Sequence, residues 1–445
     1  MNSYSSASSK GASSHKFDFA VIGGGILGVT ISYWISSLYD STVVLIDKEN
    51  EVATHTSGRN TGMVHRPFYL NPDKKKLFAT VAQKSYPMWK EIALKYNLPW
   101  NPVGTLEVAT SDEQVRTLEQ YKIWAADNGM DDDEIDILDG IGVQKLEPEV
   151  KCAGAIHSKT DTCVSYSDFT NFIFQNALKN GVKFMGGCKV IGGIGDRIMI
   201  RLNDGNIKEI SVGFIINAAG GGSVELAHKF GIGNEYASLF FRGEYWKVEP
   251  PFASKVSRNV YSVPRHKEFP FLDPHFIARA NGTREIGPNA VLVLDPGAYT
   301  GLTAKKSQVI SRIFERPMIP KIKLFTSKTF LSLIWHEWQS SISKAAMCER
   351  VQRFLPALDP KFLKERGLAG VRASVIDNDG FVPEALPLKG NNSLHILNYN
   401  SPGATGAPAF SAYLVSKLTE EGRFDGMKES ETSSKFWKFE DMSDL

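Results

Sequence analysis

The chain has 445 residues, of which 42% are hydrophobic and 22% charged, and its formal net charge is +2. This length indicates two or three lobes with a core that needs no cross-links, and the small net charge excludes a nucleic-acid-binding protein that works through a concentrated basic face. The four cysteines lack CxxC spacing, which argues against a metal site or a disulfide framework and favours free thiols in a reducing compartment.

The first 16 residues are rich in serine and contain neither an apolar run nor an arginine. This composition predicts a flexible tail rather than a secretory signal or a mitochondrial presequence. No run of about 18 apolar residues occurs in the rest of the sequence, so no transmembrane helix is expected. We therefore expect a cytoplasmic protein.

The ordered chain opens with one βαβ unit. The apolar run that begins at Phe17 predicts a buried parallel strand, residues 26–39 predict a helix, and residues 42–47 predict a second buried strand. This order is typical of a Rossmann-like fold, in which a nucleotide binds at the carboxyl ends of the strands.

A G-x-G-x-x-G motif, made of Gly23, Gly25 and Gly28, lies between the first strand and the helix. Its glycines permit a tight turn, a close approach of the backbone to a pyrophosphate, and close packing of helix on strand. The helix N-terminus adds N–H donors for the phosphates. Asp47 ends the second strand, where a carboxylate meets a ribose 2′-OH. That carboxylate disfavours NADP but leaves NAD and FAD open.

The next segment, THTSGRNTGMVH (residues 54–65), is too polar and glycine-rich for a core, and its side chains can bond to phosphate and ribityl groups. Periodicity then predicts further elements. These are helices over 75–96, 113–128 and 167–180, a strand over 104–110, strands over 181–217 with a hairpin turn at 203–205, strands over 239–293, helices over 324–358, and strands over 367–422 followed by a last helix after Pro408. Ser167 or Asp168 is the expected N-cap of the third helix.

Nucleotide-binding features recur in three separate parts of the chain, which predicts a discontinuous cofactor domain. We assign residues 17–100, 150–235 and 365–425 to this domain, and residues 101–149 and 236–364 to a strand-rich substrate domain. The fold class is α/β, with an α+β substrate lobe.

Two later segments favour FAD over NAD. The strand that ends in IINAAG has small residues at its end, which allow a cofactor to lie against the backbone. The segment SPGATGAP (residues 401–408) starts a helix, and the positive end of a helix stabilises the negative charge that gathers on a reduced flavin.

Several separated segments carry a resemblance to a known family, in family order from Gly23 to Pro408. They are GGGILG, SGRNTGMVH, FRGEYW, VYSVP, FPFLDPHF, GPNAVL, GVRA and NYNSPGATGAP. On these segments the sequence resembles the D-amino-acid-oxidase-like flavoprotein superfamily, and within it the L-2-hydroxyglutarate dehydrogenase/oxidase family. The resemblance implies an FAD-binding domain of the glutathione-reductase type and removal of a hydride from a small 2-hydroxy acid.

The motifs and the resemblance together predict the residues that bind FAD. They are Gly23, Gly25, Ile26, Gly28, Asp47, Lys48, Thr56, Ser57, Arg59, Asn60, Thr61, Gly62, Val190, Ala219, Gly220, Gly403, Ala404, Thr405 and Gly406. No metal ligands are predicted. Gly403 and Gly406 depart from the family, which more often has Ala and Ser at these positions.

A 2-hydroxy acid needs a cation for its carboxylate and an acceptor for its hydroxyl proton. The family position beside the flavin implies Arg372 as the cation, with Arg242 and Arg66 as second choices. His65 and His275 lie in matching segments and are the candidate bases, because a histidine is poised to accept a proton near pH 7. Tyr261 is expected to orient the substrate.

Other functions stay open at this point. The chain is also compatible with a glycerol-3-phosphate dehydrogenase-like enzyme, an amino-acid-oxidising flavoprotein, or a non-catalytic binding protein on the same fold, like the GDP-dissociation inhibitors. The electron acceptor (oxygen, a quinone or a carrier protein) is open as well.

The apolar stretch FLSLIWHEW within residues 324–358 has two interpretations. Its helical period is typical of core packing, and it also fits an amphipathic patch that contacts a membrane. In the second interpretation Lys321, Lys323 and Lys328 face an anionic surface.

Overall fold

A computed structural model describes residues 16–266, 269–271, 273–301, 315–431 and 435–440 of the chain. The predicted tail lies outside these residues except for Lys16. The helices are α1 Ile26–Leu38, α2 Lys76–Tyr96, α3 Asp112–Asp127, α4 Gly140–Leu146, α5 Tyr166–Lys179, α6 Ser223–Lys229, α7 Pro250–Ala253, α8 Met318–Thr326, α9 Lys328–Ile342, α10 Lys344–Gln352 and α11 Gly403–Glu420.

The strands complete the element list. They are β1 Lys16–Ile22, β2 Val43–Ile46, β3 Met63–Val64, β4 Thr105–Ala109, β5 Ile135–Asp139, β6 Gly154–Ser158, β7 Thr162–Cys163, β8 Lys183–Met185, β9 Cys188–Ile194, β10 Arg197–Leu202, β11 Ile207–Asn217, β12 Ala237–Gly243, β13 Trp246–Val248, β14 Asn259–Ser262, β15 His275–Ala278, β16 Arg284–Gly287, β17 Val291–Val293, β18 Leu363–Arg366, β19 Gly370–Asp377, β20 Gly380–Phe381, β21 Leu386–Gly390 and β22 Ser393–Leu397.

The first sheet has a parallel centre. Its order is β21–β22–β11–β1–β2–β8, and the pairs from β22 to β8 are parallel. Strands β9 and β10 extend β11 as an antiparallel ribbon. Both faces of β1 are covered, since Phe19 to Ile22 are buried throughout, as expected for a central parallel strand. The sheet confirms the predicted α/β fold class.

Three further sheets are formed by the other described strands. One has the order β18–β13–β16–β15–β14–β4–β6–β5, another the order β17–β12–β19–β20, and in the third β3 pairs with β7. Strand β6 and residues 365–366 of β18 pair in the first of these, although the sequence boundaries placed them in the cofactor domain. They thus share a sheet with strands that the sequence boundaries placed in the substrate domain.

Two helix starts differ from the sequence expectation. Helix α5 is capped by Ser165, whose hydroxyl accepts a bond from the Asp168 N–H at 3.3 Å, so neither Ser167 nor Asp168 is the cap. Helix α11 begins at Gly403 rather than after Pro408. Pro408 removes one helical hydrogen bond, but twelve of the helix's 18 residues are buried, and this packing outweighs the loss.

The predicted helical region 324–358 is divided by serine caps. Ser327 and Ser343 each accept a backbone N–H at the start of a helix, so the chain forms α8, α9 and α10 in succession. Across the described residues, no helix has both the length and the apolar character needed to cross a membrane.

Candidate active site

A deep cavity opens where four parts of the fold meet: the N-terminus of α1, the loop 54–65, strand β19 and the N-terminus of α11. It encloses about 1680 Å³ of empty space, including its mouth. The walls come from both lobes of the molecule, which is a common position for a ligand site.

The glycine motif shapes the α1 end of this cavity. Gly23 has φ +116°, and a Cβ there would lie 2.3 Å from the Ala218 carbonyl oxygen. A Cβ on Gly28 would lie 2.0 Å from the Gly23 carbonyl oxygen. Gly25 lines the cavity and caps α1 without a side chain, so the backbone there is open to a ligand. Each glycine thus has the geometry that a pyrophosphate turn requires.

Asp47 is held beside the glycine turn by backbone donors. Its Oδ2 accepts the Gly24 N–H at 2.5 Å, and its Oδ1 accepts the Glu49 N–H at 2.7 Å. The Asp47 carbonyl accepts the Cys188 N–H at 2.8 Å, which brings the start of β9 alongside. Val190, two residues further along β9, is buried, whereas Lys48 is half-exposed and lies 3.6 Å from the Glu49 carboxylate. Asp47, Lys48 and Val190 therefore lie beside the cavity and do not line it.

The loop 54–65 is hydrogen-bonded to both α1 and β19. The Ser57 hydroxyl accepts the Ile26 N–H at 2.9 Å, and the Thr56 hydroxyl donates to the Val371 carbonyl at 3.1 Å. Asn60 bonds within the loop and holds its turn. The loop therefore joins the glycine turn to the strand that carries Arg372.

Helix α11 closes the opposite end. Its first residues line the cavity, and an N-terminus places the positive end of a helix dipole there. The Thr405 hydroxyl accepts the His65 backbone N–H at 3.1 Å and bonds to the Tyr166 hydroxyl at 3.0 Å. Gly406 does not line the cavity. A Cβ there would lie 2.5 Å from Val81 Cγ2, so this glycine serves the close packing of α11 on α2.

Arg372 on β19 places a guanidinium in the cavity wall. Its Nη1 donates to the Pro270 carbonyl at 2.6 Å, and no carboxylate of the described residues lies within 4.0 Å of it. Burial lowers the pKa of Arg372 from its ordinary value, and a buried cation without a counter-charge is costly. An anion bound in the cavity would supply that counter-charge.

His275 and Tyr261 form a stacked pair in the same wall, with ring centroids 3.9 Å apart. The His275 Nδ1 donates to the Asp273 carbonyl at 3.0 Å, which leaves the lone pair on Nε2. Neither His275 Nε2 nor the Tyr261 hydroxyl has a hydrogen-bond partner in the part of the chain that is described. Burial lowers the pKa of His275 to about 3 and raises that of Tyr261. The imidazole is therefore neutral at pH 7 and can accept a hydrogen bond.

His65 lines the same cavity and contacts this pair. Its ring meets those of Tyr69 and Tyr261 edge-on, each at 6.1 Å. Its Nδ1 lies 3.6 Å from the Asp161 carboxylate, which is fully buried. The three residues predicted for catalysis or orientation, His65, His275 and Tyr261, thus converge on one space.

Two predicted substrate cations do not reach the cavity. Arg242 pairs with Glu244 at 2.8 Å and donates to two backbone carbonyls. Arg66 pairs with Glu134 at 2.7 Å, and its guanidinium lies 4.2 Å from the ring centre of Tyr86. Both side chains are buried in structural ion pairs, because each has a carboxylate within reach that Arg372 lacks. Neither residue lines the cavity, and a substrate role for them stays a prediction.

The predicted residues therefore fall into two sets. Those that line the cavity are Gly25, Ile26, Thr56, Ser57, Arg59, Asn60, Thr61, His65, Gly220, Tyr261, His275, Arg372, Gly403, Ala404 and Thr405. Those outside its lining are Gly23, Gly28, Asp47, Lys48, Gly62, Arg66, Val190, Ala219, Arg242 and Gly406. In the described residues, no group of three His, Cys, Asp or Glu side chains is placed to hold a metal ion.

Sequence reasoning missed several functional candidates. Tyr399 lines the cavity with a buried hydroxyl that has no partner among the described residues, and burial raises its pKa. Tyr245 lines it too, and burial raises its pKa to about 12. Asp161 contacts His65, although the two residues are 96 positions apart in the sequence. Tyr399 stands in the quoted segment NYNSPGATGAP, which was a usable signal, whereas nothing in the sequence pairs Asp161 with His65.

The residues fit a dinucleotide flavin. The glycine turn and α1 N-terminus suit a pyrophosphate, Asp47 suits a ribose, and the α11 N-terminus suits the negatively charged end of a reduced flavin. Tyr399, whose hydroxyl is buried without a partner among the described residues, belongs to the same lining.

Comparison with known proteins agrees with this fit. A family model described as FAD dependent oxidoreductase matches residues 18–418. The L-2-hydroxyglutarate dehydrogenase of Indibacter alkaliphilus is 30% identical over 88% of this chain and 96% of its own length. The mitochondrial L-2-hydroxyglutarate dehydrogenase of Caenorhabditis elegans is 29% identical over 90% of this chain and 93% of its own.

Solved structures share the fold at lower identity. The L-alpha-glycerophosphate oxidase of Mycoplasma pneumoniae, solved with FAD bound, superposes with a TM-score of 0.71 at 20% identity and covers 95% of this chain and 100% of its own. Glycine oxidase from Geobacillus kaustophilus gives 0.65 at 16% identity, covering 92% and 95% of the two chains. The match over residues 18–418 shows that this chain belongs to the FAD-dependent oxidoreductase family and is an FAD enzyme, with relatives that include L-2-hydroxyglutarate dehydrogenases.

Proposed function

We propose that this enzyme oxidises L-2-hydroxyglutarate to 2-oxoglutarate. The observation that carries the proposal is Arg372, a guanidinium without a carboxylate partner among the described residues, in a cavity that also holds the free Nε2 of His275. A 2-hydroxy acid offers a carboxylate to the first and a hydroxyl to the second. The names of the relatives support the choice of this acid and its stereochemistry.

Each residue has a defined task in this proposal. Arg372 binds the 1-carboxylate through its planar fork of donors. His275 and Tyr261 fix the hydroxyl, and a histidine takes the hydroxyl proton as the Cα–H departs as a hydride. When bound, FAD supplies the acceptor for that hydride. The substrate carbon thereby loses two electrons and two hydrogens and becomes a ketone.

The cavity wall favours a hydroxy acid over an amino acid. Its described lining contains no aspartate or glutamate, so an α-ammonium group would have no carboxylate to pair with. A buried, unpaired ammonium is costly. A hydroxyl group, by contrast, needs only the neutral acceptor that His275 provides.

The test is anaerobic reduction of the protein-bound flavin, followed by its absorbance. L-2-Hydroxyglutarate is expected to bleach the flavin within one turnover, and D-2-hydroxyglutarate, L-malate, L-lactate, glycerol 3-phosphate and a panel of amino acids are expected to act far more slowly. Rapid bleaching by one of these other compounds would replace the substrate assignment and keep the enzyme class.

Contact with a membrane surface is part of the same proposal. Helices α8 and α9 expose an apolar stripe that includes Ile322, Leu331 and Trp335, with Trp335 64% exposed. Lys323 and Lys328 are exposed beside it, which suits an anionic lipid surface. Lys321, the third predicted lysine, is instead buried beside Glu315. The other face of α9 packs inward through Phe330 and Leu333.

Co-sedimentation with vesicles tests this contact. Vesicles that contain phosphatidylserine are expected to carry the protein down, and the variant Trp335→Asp is expected to bind several-fold less. The variant Ile194→Asp, at an apolar side chain exposed elsewhere on the surface, is the matched control. Equal binding of all three proteins would remove the membrane contact from the proposal.

A further inference from the structure

Asp161 is a fully buried carboxylate behind the cavity wall. Its Oδ1 accepts the Arg66 backbone N–H at 3.0 Å and the Ser158 hydroxyl at 2.8 Å, and its Oδ2 accepts the Thr105 hydroxyl at 2.8 Å. Three donors on one carboxylate favour its ionised form. The fold thus maintains a negative charge at a place where water does not reach it.

His65 is the partner of that charge. Its Nδ1, 3.6 Å from Asp161 Oδ2, is the one cation-capable group of the described residues within 4.0 Å of the carboxylate. Arg66 contacts Asp161 through its backbone N–H only, because its guanidinium pairs with Glu134. This arrangement favours a proton on Nδ1 and leaves Nε2 for the cavity, as a carboxylate does for the histidine of a hydrolase triad.

A second buried carboxyl, that of Glu107, lies near Asp161 but adds no second negative charge. Burial and the charge of Asp161 raise the pKa of Glu107 to about 8, so Glu107 is protonated at neutral pH. Two neighbouring carboxylates do not both ionise in a buried site. The other titratable or charged groups around His65 are Tyr69, Tyr261, His275 and, across the cavity, Arg372.

We propose that Asp161 is the positioning residue that makes His65, rather than His275, the acceptor of the substrate's hydroxyl proton. This inference rests on the proposed function. The O–H bond of the substrate breaks, its proton moves to His65 Nε2, and the oxygen's electron pair forms the ketone as the hydride leaves Cα. The hydroxyl has one proton to donate, so its hydrogen bond to His275 Nε2 breaks when that proton turns to His65, and His275 stays neutral throughout.

The two histidines differ in what balances a positive charge. An imidazolium at position 65 faces Asp161, whereas the described groups bonded to His275 are a backbone carbonyl and an aromatic ring. A charged group that leaves water without a counter-charge is strongly disfavoured. Burial without a counter-charge keeps His275 neutral, so it can accept a hydrogen bond but cannot keep the proton.

The first test is a ¹⁵N-histidine NMR spectrum of the FAD-bound protein, which reads the tautomer of His65 without turnover. The His65 resonances are assigned by their loss in His65→Gln. In the wild type they are expected to show the proton on Nδ1, and in Asp161→Asn this preference is expected to be lost. Asp136→Asn, at a half-exposed aspartate on β5, is the control and is expected to leave the His65 ¹⁵N shifts unchanged.

The second test is a kinetic double-mutant cycle. Asp161→Asn is expected to lower kcat about 100-fold and to change KM less than threefold. In a His65→Gln background the same change is expected to cost almost nothing, because both variants remove one function. FAD content checks that each variant is folded. Should Asp161→Asn fail to hold FAD, Thr105→Val removes one donor to Asp161 and takes its place, with a smaller effect of the same sign.

Two results would overturn the inference: unchanged ¹⁵N shifts of His65 in Asp161→Asn, or losses of kcat that multiply fully in the double variant. Failure of the proposed function looks different. If L-2-hydroxyglutarate did not reduce the flavin, the ¹⁵N shifts would still report whether Asp161 fixes the tautomer of His65, and the cycle would be run with whichever substrate bleaches the flavin.

Discussion

The two ends of the cavity are built in different ways. The end beside α1 is a local structure, in which residues 23–47 contain the glycine turn, the helix N-terminus and Asp47. The end beside Arg372 is assembled from β14, β15, β19 and α11, which are separated by up to about 140 residues of chain. A short-range motif specifies the first end, and only the completed fold creates the second. We therefore expect damage at the first end to remove the cofactor, and damage at the second to remove turnover while the cofactor stays.

Gly28→Val should have the largest effect. The new side chain would begin 2.0 Å from the Gly23 carbonyl oxygen, so α1 and the glycine turn must move apart. The purified variant is expected to contain almost no FAD by absorbance. Gly222→Ala is the control, because a Cβ there meets nothing closer than 3.9 Å. A Gly28→Val protein with full flavin content would show that FAD binding does not depend on the close packing of α1 on the glycine turn.

Arg372→Met should separate the two ends most clearly. Loss of a charge-assisted, bidentate contact costs roughly 1.5–3 kcal/mol, which corresponds to about a 10- to 150-fold rise in KM for the 2-hydroxy acid. FAD content is expected to match the wild type. Arg201→Met, at an exposed arginine on β10, should change neither quantity. A KM that does not move in Arg372→Met would exclude this guanidinium from substrate binding.

Gly406→Ala tests whether α11 is positioned by packing. Its Cβ would lie 2.5 Å from Val81 Cγ2, and such overpacking typically costs about 1–3 kcal/mol. The midpoint of chemical unfolding should fall accordingly. The double variant with Val81→Ala removes the obstructing methyl group and should recover most of the loss. Absence of this recovery would show that Gly406 has a role other than helix packing.

A further prediction concerns pH and His275. Its folded pKa of about 3 lies below the ordinary value of 6.5, so between these values the unfolded chain binds more protons than the folded one. Stability is complete above about pH 6.5 and falls with acid by up to about 1.4 kcal/mol per pH unit. His275→Gln should flatten the loss of thermal stability between pH 6.5 and 4. The exposed His336, changed to Gln, should not.

The difference between the two ends also explains what the sequence could predict. The βαβ unit, the hairpin at 203–205 and the cavity position of Arg372 follow from patterns that are local or that occur in family order. Asp161, by contrast, meets His65 through a tertiary contact that no local pattern encodes. Arg66 and Arg242 looked like ligands because a sequence does not show that Glu134 and Glu244 are close enough to neutralise them.

The strand order of the first sheet has a consequence for the time at which the enzyme matures. Strand β11 lies between β1 and β22, so the centre of this sheet needs both the beginning of the chain and residues 393–397. At roughly 5–20 residues per second of synthesis, the glycine turn waits roughly 20–75 s for that last neighbour. The flavin pocket is therefore completed near the end of translation. Until β22 is made, the edge of β11 at residues 215–217 stands open for pairing.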